Sequence, residues 1–157
     1  METTKLEKTG ACKEAIFYVR TQKNYEEAWY NCSRGDWMLW IAAKLQIDKR
    51  LLTLTKGKCA ATVLRLMKDK RSKKAVKAAI DYGHGLIGDE ELKNAADAAY
   101  DAAYAAYGID AAAAYAAYAA ADAAACAYVK KQNQLKTADI CRDLLTKEVF
   151  NKWNQNI

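Results

Sequence analysis

No proline occurs in the 157 residues of this chain. No helix is therefore stopped by a ring clash, and helix ends must come from caps and glycines. Glycine is scarce too: there are seven, three of them in "YGHGLIG" at 82–88. Alternating β-branched runs are nearly missing, which argues against a sheet and predicts an all-α fold of six to eight helices. The only histidine, His84, stands between two glycines and reads as an exposed loop residue. A nucleophile–base pair has nothing else to draw on. No glycine-rich phosphate cradle leads into a Lys-Ser/Thr helix start. The sequence therefore predicts a protein that is not an enzyme.

Metal chemistry is poorly served as well. The five cysteines (Cys12, Cys32, Cys59, Cys126, Cys141) are widely spaced and form no C-x-x-C pair. They read as buried free thiols in a reducing cytoplasm, with no metal site and no cofactor. The start, "METTKLEKTG", lacks the apolar stretch of a signal peptide. The longest charge-free run, 111–121, is too short to span a bilayer, so no membrane partner is expected.

What is present is charge, alanine and tryptophan. The net charge of +6 is unevenly spread. Residues 1–93 carry 19 Lys/Arg against 12 Asp/Glu, whereas residues 94–129 carry four Asp and no base. The length suits one domain, 1–157, with an alanine-rich segment at 95–128. Cap chemistry divides the chain. A helix is predicted over 11–21. Asn24 and Glu27 have the spacing of a capping box, followed by the stripe Tyr25, Ala28, Trp29, Cys32. Gly35 fits the position that ends this helix, and Asp36 the N-cap of the next, whose stripe is Trp37, Trp40, Ile41 and Leu45. Asp48 caps a helix predicted to reach Met67, Ser72 one to about Tyr82, and Asp89 another. The C-terminal part adds one or two helices with Ile140, Leu144, Val149, Phe150 and Trp153 inward.

Residues 95–127 hold 21 alanines in 33 positions. On one continuous helix Tyr100, Tyr104, Tyr107, Tyr115 and Tyr118 lie within about 80° of each other. A single rod over 89–133 would measure about 67 Å, too long for a domain of this size. The expected solution is an antiparallel Ala/Tyr-rich helix pair turning at Gly108-Ile109-Asp110. The Tyr/Asp side of this pair reads either as hydrogen-bonded packing between helices or as a recognition face.

Alanine faces bury little area, so large side chains must fill the layer. Trp29, Trp37 and Trp40, with Asp36 as cap, are the expected structural anchors; an exposed aromatic contact is the rival reading. Arg34-Gly35-Asp36 as an adhesion motif is a three-residue match, too short to weigh. "RLMKDKRSKKAVK" (65–77) carries seven bases against Asp69. Lys70, Arg71, Lys73 and Lys74 are its candidate contacts for an acidic protein or for phosphates.

"EEAWYNCSRGDWMLW", then "DAAYDAAYAAY" and "AAYAAYAAADAAA", then "KTADICRDLL", together resemble the alanine-rich immunity proteins of bacterial polymorphic-toxin loci. The matching positions are Trp29, Cys32, Arg34, Gly35, Asp36, Trp37, Leu39 and Trp40, then Ala138, Asp139, Ile140 and Arg142. The resemblance implies a bacterial, cytoplasmic protein that neutralises a cognate toxin by stoichiometric binding. It supplies no catalytic residues. The alternatives are a nucleic-acid-associated protein using the 65–77 surface and a helical self-association module.

Overall fold

The computed structural model describes residues 3–155, and the side chains of residues 3–100 and 131–154. Among them there is no strand. The helices are α1 (Thr4–Lys8), α2 (Lys13–Arg20), α3 (Tyr25–Asn31), α4 (Gly35–Lys44), α5 (Lys49–Ala61), α6 (Lys70–Gly83) and α7 (Asp89–Gln155), with a 3-10 turn at Leu64–Leu66.

The cap chemistry explains several of these starts. At α3 the Glu27 amide donates to Asn24 Oδ1 at 2.7 Å, and Glu27 Oε2 accepts from the Lys23 amide at 2.6 Å. The box thus closes one residue further upstream than its usual form. Asp48 accepts from the Leu51 amide at 2.9 Å and starts α5. Two caps fall elsewhere than expected. Asp69, not Ser72, starts α6, accepting from the Arg71 amide at 2.7 Å. A carboxylate accepts more strongly than a hydroxyl at the positive end of a helix, so the earlier residue wins. And α4 begins at Gly35, so Asp36 lies in its first turn rather than capping it. The helix expected to reach Met67 ends at Ala61. There the Thr62 hydroxyl lies 2.7 Å from both the Cys59 carbonyl oxygen and Asn133 Oδ1.

The core is assembled on the last third of α7. Ala138, Cys141, Leu145 and Val149 follow one another at helical spacing, and the first three are fully buried. They meet Trp29 and Cys32 at α3, Met38 and Ala42 on α4, Ile47 in the α4–α5 link, and Cys59 on α5. The α4–α7 crossing is close because Gly35 has no side chain. A Cβ there would stand 2.4 Å from Thr137 Oγ1 and 2.7 Å from the Thr137 carbonyl carbon. At the other end α5 and α6 form a second tight pair, in which a Cβ on Gly83 would stand 2.3 Å from Leu54 Cβ. Arg50 stacks on the Tyr82 ring, 4.4 Å from its centre, and donates to the Tyr82 carbonyl at 2.6 Å.

The alanine-rich segment corrects an expectation. The backbone is helical through Gly108-Ile109-Asp110, inside the single element α7, and no loop separates an antiparallel pair. One glycine costs a helix about 1 kcal/mol, which a run of the best helix former absorbs. Near its start Asp89 pairs with Lys49 at the start of α5, and further along Asn133 meets Thr62 just past the end of α5. Among the described residues no helix is long and apolar enough to cross a membrane.

Candidate functional site

The tryptophans come first, because the sequence assigned them to the core. Trp29 is buried and donates from Nε1 to Thr146 Oγ1 at 2.9 Å. Trp37 and Trp40 are only half-buried. Arg34 lies 4.4 Å from the centre of the Trp37 ring, and the Lys44 ammonium 5.6 Å from that of Trp40. The fully buried side of α4 is instead Gly35, Met38 and Ala42. The signal was present in the sequence: two small residues seven apart mark where a helix is crossed closely. Arg34 and Asp36 satisfy each other at 2.5 Å. The Arg34 guanidinium holds the Asp36 carboxyl below the usual range. Arg-Gly-Asp here is thus an internal clasp and not a presented loop.

Trp29, Trp37, Trp40 and Trp153, with Tyr18, Tyr25 and Phe150, wall an apolar cavity of about 320 Å³ between α1–α4 and the end of α7. At its edge the Tyr18 hydroxyl donates to the Ala28 carbonyl at 2.9 Å. Burial pushes the Tyr18 pKa up to about 12 from an ordinary 10.0. The folded state therefore favours the neutral phenol. The resulting stability is fully present below pH 10 and is lost as pH rises through about 12. Tyr18→Phe should flatten the fall in unfolding midpoint between pH 10 and 12 relative to wild type; an unchanged alkaline slope would contradict this.

Of the expected Tyr face, Tyr100 is 71% exposed. The side chains of Tyr104, Tyr107, Tyr115 and Tyr118 lie outside the described residues. Arg142, which entered the sequence reading only through the resemblance, has a structural task. Its Nη1 donates to the Cys32 and Tyr30 carbonyls at 2.7 and 3.2 Å, closing the end of α3, and its Nη2 bonds Asp139 at 2.5 Å. His84 caps the C-terminal end of α6 and is exposed. Cys12 is exposed, against the expectation of buried thiols, while Cys32, Cys59 and Cys141 are buried. Cys126 lies outside the described side chains.

The basic run makes a surface. Lys70, Arg71, Lys73, Lys74 and Lys77 are all exposed along α6, with Val76 turned inward. Arg71 pairs with Asp69 at 2.9 Å and Lys77 with Asp81 at 2.5 Å. The Arg71 guanidinium and amide hold the Asp69 carboxyl below its usual range. The remaining positive charge gathers in the first two turns, at the positive end of the helix dipole. That placement disfavours the helix, which prefers acids there. Just upstream, the 3-10 turn exposes Leu64 and Leu66, the latter at 57%. Sequence reasoning missed these leucines because it ran α5 through them. The result is a cationic face with an apolar edge. Compared with known protein families, curated proteins and solved structures, the chain matches none of them.

Proposed function

We propose that this protein works by covering a protein partner, as an immunity factor covers its toxin in a bacterial cytoplasm, and that the basic face of α6 with Leu64 and Leu66 is the contact. The observation that carries the reading is the clustering of Lys70, Lys73 and Lys74 in the first two turns of α6. It runs against the helix dipole and contributes nothing evident to stability. Local rules are broken most often where function requires it. The exposed leucines favour a protein over a nucleic acid, since phosphates offer an isobutyl group nothing. An acidic partner would be steered by the lysines and held by the apolar edge. The resemblance carried by Trp29, Cys32, Arg34, Gly35, Asp36, Trp37, Leu39 and Trp40, with Ala138, Asp139, Ile140 and Arg142, supplies the toxin as the class of partner. Covering a target needs no catalytic group, which agrees with the sequence expectation of a non-enzyme.

The test is to co-express this chain with the product of the neighbouring reading frame. The proposal expects protection of the host and a 1:1 complex by light scattering. Absence of protection and of a complex would overturn it. Affinity for duplex DNA that falls steeply with salt would favour the nucleic-acid reading. A concentration-dependent mass of the chain alone would favour self-association.

A further inference from the structure

Two buried thiols stand together where α5, α4 and α7 meet. Cys59 Sγ lies 3.8 Å from the Thr137 carbonyl oxygen. Thr137 is one turn before Cys141 on α7, so the same carbonyl that faces Cys59 is within helical reach of Cys141. Cys141 Sγ lies 3.7 Å from the Gly35 carbonyl oxygen, and both cysteines belong to the same buried core cluster. They differ in access. Cys141 is fully buried, while Cys59 is 8% exposed and sits in the wall of an open cleft of about 360 Å³ lined also by Asp36, Leu39, Asn133, Gln134 and Thr137.

We propose that Cys59 and Cys141 are a peroxide-sensitive pair that closes to a disulfide, with Cys59 attacking the oxidant and Cys141 resolving the product. Hydrogen peroxide enters by the cleft. The Cys59 sulfur attacks one peroxide oxygen, the O–O bond breaks, and the departing hydroxide takes the thiol proton to leave as water. This gives a sulfenic acid on Cys59. The Cys141 sulfur then attacks the Cys59 sulfur, the S–O bond breaks, and a second water leaves with the Cys141 proton. Two thiols lose two electrons to one peroxide, and the atoms balance. The division of labour has electrostatic support. The Cys141 thiol beside it holds Cys59 below the ordinary thiol range despite burial, whereas the same contact and burial push Cys141 up. The thiolate is the nucleophile, so the member of the pair that borders the cleft is also the reactive one. The new bond would fasten α5 to α7 and close a covalent loop around α6 and the whole alanine-rich length.

The experiment uses the full chain, equimolar hydrogen peroxide and peptide mapping by mass spectrometry. Wild type should lose two hydrogens and yield a Cys59–Cys141 linked peptide. With Cys141→Ser, dimedone should trap a sulfenic acid on Cys59; with Cys59→Ser, Cys141 should remain unlabelled. In untreated wild type, iodoacetamide should modify Cys59 at least about tenfold faster than Cys141. This second readout needs no substitution and so survives a variant that fails to fold. Linkage only through Cys12 or Cys126, or equal rates at Cys59 and Cys141, would overturn the proposal.

Discussion

Gly35→Ala should lower stability by about 3 kcal/mol or more, one of the largest effects available to a single methyl group in this protein. The added Cβ would meet Thr137 Oγ1 at 2.4 Å and the Thr137 carbonyl carbon at 2.7 Å. A hydroxyl can rotate away, but a backbone carbonyl inside α7 cannot move without displacing the helix. Thr137→Ala in the same chain should therefore recover only part of the loss, and a double-mutant cycle measures that part. Under the sequence reading, Gly35 ended α3 and served its backbone conformation. The cost would then be smaller and indifferent to Thr137. A denaturant midpoint that falls little in Gly35→Ala, or that Thr137→Ala restores fully, would contradict the close crossing of α4 and α7.

Leu145→Ala should cost about 3–5 kcal/mol, and more than Trp40→Ala. Leu145 is fully buried on the core stripe of α7. It packs among residues from α3, α4 and α5, so the hole it leaves has walls held by separate helices and collapses poorly. Trp40 is larger but half-buried, beside a cavity that already exists, with the Lys44 ammonium over its ring. Removing it exchanges partly wet surface for wetter surface. Equilibrium unfolding of the two variants side by side decides the order. A Trp40→Ala loss exceeding that of Leu145→Ala would return the core to where the sequence placed it.

What was legible in the sequence was the part written in local chemistry. Asn24 with Glu27, Asp48 and the glycine-rich 82–88 stretch act over a few residues, and each marks a helix end or a loop as expected. What the sequence hid was set by contacts between distant segments. Gly35 reads as a helix stop until Thr137, about a hundred residues away, is seen against it. Trp37 and Trp40 carry more apolar area than Met38 and Ala42, yet close crossing selects the smaller residues for the buried side. Leu64 and Leu66 look like the end of α5's stripe. Their exposure follows from Asn133 meeting Thr62 where the helix stops. The basic surface was legible because seven cations in thirteen residues can hardly be hidden.

The central claim is that the cationic face of α6 delivers this protein to an acidic protein partner. The most direct measurement is the association rate with the neighbouring reading frame's product by stopped flow, across a range of ionic strength, for wild type and for the variant carrying Lys70→Glu, Arg71→Glu, Lys73→Glu and Lys74→Glu. Acids suit the first turns of a helix, so this variant should fold with an unchanged or slightly raised midpoint. The account predicts that its association rate falls by about ten- to a hundredfold at low salt and loses most of its salt dependence, with dissociation changing less. Equal rates and equal salt dependence for the two proteins, with the fold intact, would contradict it.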